Sequence, residues 1–150
     1  MSGDTDLIKL YSGRILALAA DMPRTDRLAV PDATVKKRSP LCGSTIAVDV
    51  ILQDGKISEY GQDVKACALG QAVASVVGAN VVGLSRAEIE TARDALKDML
   101  KNDGPAPTAP FEDLEVLRPA RDYKNRHASI MLALEATLEA IDQAEQSACA

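Results

Sequence analysis

The sequence predicts an α+β fold in which helices pack on a small antiparallel sheet. Three observations carry that expectation. A strand pair joined by a two-residue turn lies in the first half of the chain, and the segments after it switch to helical periodicity and keep it to the end. Aromatic residues make up only 3%, with no Trp, so the core joining the two halves must be aliphatic.

The strand pair is the clearest local feature. Ile46, Val48, Val50 and Leu52 alternate with Thr45, Ala47 and Asp49, which is the pattern of a half-buried strand. Asp54-Gly55 follows, a dipeptide that tolerates positive φ at both positions and so closes a tight hairpin. Lys56 to Val64 is the returning strand. Upstream, Leu7, Ile8, Tyr11, Ile15, Leu16 and Leu18 recur at helical spacing from Leu7 to Met22, and Pro23 ends that helix. The polar stretch beyond, with Pro31, is expected to be extended. Lys36-Lys37-Arg38 within it reads as a solvated strand or loop edge in preference to a phosphate contact.

From Cys67 the period changes. Leu69, Val73, Val76 and Val77 fall on one helix face among Ala68, Gly70, Ala72 and Ala74, small residues that allow close packing on the sheet. Ser85 and Glu88 form a capping box that opens an amphipathic helix carrying Ile89, Ala92, Leu96 and Met99. Asn102 to Pro110, with Gly104 and three prolines, is a loop. Phe111, Leu114 and Leu117 predict a short helix before Pro119, and Ile130, Leu134, Leu138 and Ile141 a last one from Ala128 to Gln146. The 150 residues make about one domain, spanning 1–150.

The net charge of −5 disfavours nucleic acid, whose phosphates need clustered Lys and Arg. The N-terminus is acidic and polar, unlike a secretory signal, and no apolar run nears the roughly 18 residues of a membrane span. Three well-separated cysteines do not read as a disulfide framework, and they fit a reducing cytoplasm.

Three residues stand out chemically. Cys42 precedes Gly43 just before the first hairpin strand, and Cys67 follows the second strand at a helix start. The turn is at the far tip, so both cysteines belong at the open end of the hairpin. A helix N-terminus favours the thiolate, the form that binds zinc or iron. Alone, such a cysteine is more often a small buried apolar residue; the shared end of the pair raises the metal reading to parity. His127, the single histidine, also sits at a helix start, where the neutral ring is favoured. Alone it is more often a capping or packing residue. Cys149 belongs to the C-terminal tail, apart from these. Neither a His-Glu-x-x-His motif nor a phosphate-binding glycine loop occurs, which argues against zinc hydrolases and P-loop enzymes.

Four segments together resemble the NifU/IscU/SufU family of iron–sulfur cluster assembly scaffolds: Pro40-Leu41-Cys42-Gly43, Asp54-Gly55-Lys56-Ile57, Lys65 to Ala72 around Cys67, and Arg126-His127-Ala128-Ser129-Ile130. The resemblance spans about residues 5 to 142. It implies a NifU N-terminal-like, SufE/NifU-like α+β fold and a platform rather than an enzyme. It further implies a [2Fe–2S] cluster or Zn²⁺ held by Cys42, Cys67 and His127. The implied partners are a cysteine desulfurase and apo iron–sulfur acceptor proteins, and a homodimer is compatible with a bridging cluster. The sequence departs from the family twice. Ser44 stands where an aspartate linked to cluster release is usual, and the segment of the third cysteine reads Arg126-His127-Ala128. Either His127 replaces that cysteine, or Ala128 does and His127 matches the histidine before it. In the family that cysteine often accepts sulfur. Ser44, Asp63 and water are open as a fourth ligand, with Arg121 a charged neighbour. The alternatives are a zinc-bearing sulfur-transfer partner of a desulfurase, and a degenerate interaction module without metal.

Overall fold

The Asp54-Gly55 turn organises the sheet as expected, with φ of 55° and 77° at its two residues. The structure is a computed structural model that describes residues 12–40 and 43–149. Cys42 therefore lies outside the described residues, as do Leu7, Ile8 and Tyr11 of the first predicted helix. Where a helix from Leu7 to Met22 is expected, α1 spans Gly13–Ala20: it starts after Ser12, an N-cap with φ −58° and ψ 163° whose hydroxyl accepts from the Ile15 N–H, and it ends short of Met22.

Three antiparallel strands follow: β1 (Ala33–Arg38), β2 (Thr45–Gln53) and β3 (Lys56–Lys65), in the order β1-β2-β3. The basic run is thus an edge strand. The register aligns Arg38 with Thr45 and Thr45 with Lys65, two residues short of Cys67. Val35, Ile46, Val48, Val50 and Tyr60 point to the inner face and are buried.

Helices cover that inner face. α2 (Ala68–Asn80), α3 (Arg86–Asn102) and α4 (His127–Cys149) pack together, and α4 lies across β1 and β2. α4 is buried along most of its circumference, through Ile130, Leu134, Leu138 and Ile141 and also Ala133, Ala136 and Thr137. It is the central helix of the fold and runs to Cys149, past the expected end. The capping box at Ser85 and Glu88 is formed as the sequence indicates, and α3 stops at Asp103 in the left-handed conformation.

Two expectations need correction. The segment before Pro119 is not a short α-helix but a 3-10 stretch, Glu112–Asp122, that runs through Pro119. Its buried Leu114, Leu117 and Ala120 recur every third residue, the 3-10 repeat. The outer face of β2 is not simply solvated. Asp49 is 0% exposed because residues 21–32 cross that face. Gly61 makes room for the crossing: a Cβ there would lie 2.6 Å from the Asp26 carbonyl oxygen. Arg27 then reaches both Asp49 carboxylate oxygens at 2.6 and 2.9 Å, while the Leu28 N–H and Thr34 hydroxyl donate to the same group.

Candidate functional site

Cys67 sits where β3 gives way to α2. As N-cap it keeps extended backbone angles (φ −66°, ψ 168°), while its carbonyl accepts from the Gln71 N–H. Gln71 also donates from its side chain to the Ala66 carbonyl at 2.9 Å, which fixes the strand-to-helix junction. The thiol is half-buried and faces the first turn of α4, with Sγ 3.6 Å from the Ser129 hydroxyl.

Ser129 Oγ is in turn 2.9 Å from Ser44 Oγ, at the entry to β2, and both serines are buried. The hydroxyl pair and the thiol form a chain across three elements. Gly70 allows their approach, since a Cβ there would come within 2.8 Å of Ser129 Oγ. The loop leading to β2 is pinned beside this chain: the Ser39 N–H donates to the Ser44 carbonyl and the Gly43 N–H to the Ser39 carbonyl.

Electrostatics favour a thiolate at Cys67. Burial pushes its pKa up, but the Gly70 and Leu69 N–H groups, the Ser129 hydroxyl and the nearby Arg126 charge outweigh burial. The net result lies below the ordinary thiol value. A thiolate in this setting is both a metal ligand and a nucleophile.

His127 opens α4, two residues before Ser129. Residues two apart on a helix point to nearly opposite sides. Accordingly Nε2 lies 3.1 Å from the carbonyl oxygens of both Ala120 and Arg121, on the side of the 3-10 stretch. Carbonyls only accept, so Nε2 carries the proton, and in the neutral ring Nδ1 holds the lone pair that could bind a metal. The recorded side-chain contacts bring Cys67 to Ser129 and Ser44, whereas those of His127 run to the 3-10 backbone. No group of three His, Cys, Asp or Glu side chains converges among the described residues, which do not include Cys42. Of the open fourth-ligand candidates, Asp63 is exposed on β3, and Arg121 is paired with Asp103. Ser44 alone joins the Cys67 chain. Sequence reasoning did not single out Ser129; a hydroxyl one position before the Ile130 stripe was its only signal.

No protein-family model matches the sequence, and no curated protein matches it. Among solved structures, the N-terminal part of a nitrogen-fixing NifU-like protein from Brucella abortus is 45% identical to it. That match covers 94% of this chain and 98% of the other, with a TM-score of 0.91. The chain belongs to the NifU-like family. Two more distant structures share its fold alone, each with a TM-score of 0.79. One is a hypothetical protein, 22% identical, matched over 89% of this chain and 97% of its own. The other, from the thermophile Fervidobacterium islandicum AW-1, is assigned as an iron–sulfur cluster assembly scaffold of the SUF system. It is 14% identical, over 88% of this chain and 96% of its own. In this NifU-like chain no helix among the described residues is long and apolar enough to cross a membrane.

Proposed function

We propose that this NifU-like protein is a platform that holds a nascent iron–sulfur cluster and passes it on, and that it is not an enzyme. The cluster is cargo. Cys42, Cys67 and His127 are its ligands in this reading, His127 joining once its ring turns from the 3-10 backbone that Nε2 contacts, and Zn²⁺ can occupy the same donors. A [2Fe–2S] core fits a site with few protein thiolates when a second copy or a partner supplies the rest. Sulfur comes from a cysteine desulfurase, apo iron–sulfur proteins receive the product, and the setting is the cytoplasm.

The observation that carries the proposal is the state of Cys67. A half-buried thiol at a helix N-terminus, its pKa shifted below the ordinary thiol value by backbone N–H groups and the Ser129 hydroxyl, is suited to serve as a soft thiolate ligand. The deciding experiment is metal analysis of the purified protein, followed by anaerobic reconstitution with iron and sulfide. The expected result is a visible charge-transfer spectrum that Cys67→Ala and Cys42→Ala each abolish and Cys149→Ala leaves intact. Stoichiometric zinc with no reconstitution would support the sulfur-transfer alternative, and absence of metal under both conditions would support the interaction module. Desulfurase stimulation measured in parallel tests sulfur acceptance without the third cysteine.

A further inference from the structure

The two edges of the sheet are treated differently. Along β3 the edge is covered: the Gln62 N–H donates to the Arg24 carbonyl, the Ile57 N–H to Leu84, and the Gly83 N–H returns to Ile57. Along β1, the Ser39 N–H to Ser44 carbonyl bond sets the alternation of the ladder. Odd-numbered residues of β1 bond to β2, so the backbone groups of Thr34, Lys36 and Arg38 point out from the free edge. None of these has a backbone partner among the described residues.

The same residues carry charge onto the outer face. Lys36, Arg38 and, across β2, Lys65 are exposed and form no ion pair among the described residues. The other nearby cations are engaged: Arg27 with Asp49, and Lys37 with Glu139 on α4 at 2.8 Å. Asp63, an exposed carboxylate on the same face, stands across β2 from Lys36 and two residues from Lys65, and forms no ion pair within 4 Å among the described residues. Together they line a groove of about 330 Å³ at the Arg38–Thr45–Lys65 end of the sheet. A mainly cationic patch on a chain of net charge −5 stands against the sign of the whole molecule.

We propose that this groove and the β1 edge dock an extended acidic segment of a protein partner, added beside β1 as a further strand. Side chains at i and i+2 of a strand are about 7 Å apart, so alternate carboxylates of such a segment match Lys36 and Arg38 in register. Backbone pairing supplies attachment and the cations supply selection. A second copy of this chain is disfavoured as occupant, because pairing β1 with itself opposes like charges. Nucleic acid is disfavoured because three cations unpaired among the described residues neutralise too few phosphates against the overall negative charge. The proposal rests on the strand edge and its charges, independently of what Cys67 holds.

A fluorescein-labelled heptapeptide alternating glutamate with valine tests it against the full chain. Anisotropy should rise saturably at low salt, weaken as salt is added, and fall at least tenfold in affinity for the Lys36→Glu, Arg38→Glu double variant. A Lys65→Gln variant, altered away from the strand edge, should weaken binding several-fold with an unchanged circular dichroism spectrum. Lys97→Glu with Lys101→Glu, on the exposed face of α3, should leave binding unchanged. Amide exchange at Lys36 and Arg38 should slow when peptide is added. Equal binding of the glutamine counterpart, equal loss in the α3 variant, tighter binding of a single-stranded oligonucleotide, or no binding at all would overturn the proposal.

Discussion

At the scale of single residues, Asp49 shows how a charge can be buried without becoming a functional site. Its carboxylate receives four donors, two from Arg27 and one each from Leu28 and Thr34. Burial alone would raise its pKa, but those hydrogen bonds and the Arg27 charge overcome it, and the net shift is downward. A folded-state pKa below the unfolded value of about 3.9 adds stability that is complete above that value and is lost as pH falls through the folded one. Asp49→Asn should therefore cost about 3 kcal/mol at neutral pH, the low end for breaking a buried pair because Arg27 remains partly solvated. The deficit should begin to shrink below pH about 4, where the carboxylate of the unfolded chain takes up a proton, and should be smallest once the native carboxylate protonates at its lower pKa. Urea denaturation of both proteins across that range measures it; a deficit that stays constant with pH would refute the charge-based account. Tyr60 gives a smaller counterpart. Its buried hydroxyl lies 2.9 Å from Thr137 Oγ, and Tyr60→Phe should cost about 1 kcal/mol in the same experiment.

Between elements, two glycines set the approach of segments distant in sequence. At Gly61 the space for a Cβ is taken by backbone, the Asp26 carbonyl at 2.6 Å and the Leu28 nitrogen at 3.2 Å. Backbone cannot rotate aside as a side chain can, so Gly61→Ala should push residues 24–30 off the sheet and loosen Arg27 from Asp49. A loss of about 3 kcal/mol is expected, from overpacking and weakening of the ion pair together. Gly70 differs, because the nearest obstacle is the Ser129 hydroxyl at 2.8 Å, followed by the Ala66 methyl at 3.0 Å. Gly70→Ala gains about 1 kcal/mol of helix propensity, which offsets much of the crowding, so the melting temperature should move little. The chain Ser44–Ser129–Cys67 should instead be disturbed. Alkylation of Cys67 at neutral pH, followed by mass spectrometry of its peptide, should slow because the sulfur loses a donor that favours its thiolate. A faster rate would show that the Ser129 hydroxyl shields the sulfur instead of activating it.

Over the whole molecule, what the sequence displayed and what it concealed divide by range. The Asp54-Gly55 hairpin, the Ser85 capping box and the helical start at Cys67 are set by neighbours within a few residues, and all could be read directly. Burial of Asp49 depends on a segment about twenty residues away, and the Cys67–Ser129 contact on one 62 residues away, so neither left a local pattern. The sequence places His127 at a helix start, but its ring direction follows the Ala120 and Arg121 carbonyls of the 3-10 stretch, which no local pattern announces. That long-range character makes the site a clamp. In the proposed ligand set Cys67 caps α2, His127 opens α4 and Cys42 precedes β2 in the sequence, so a metal ion held by them would tie together elements that must separate on unfolding. Binding to the folded state alone stabilises it by about 2.7 kcal/mol when free ligand exceeds Kd a hundredfold. For a chain of this size each kcal/mol raises the melting temperature by roughly 2–4 °C, so saturating Zn²⁺ should add about 5–11 °C. Chelation should reverse the gain and Cys67→Ala should abolish it. Cys149→Ala should keep it, since that position lies at the far end of α4. Zinc that binds stoichiometrically without moving the melting temperature, or that still moves it in Cys67→Ala, would place the metal somewhere other than this junction.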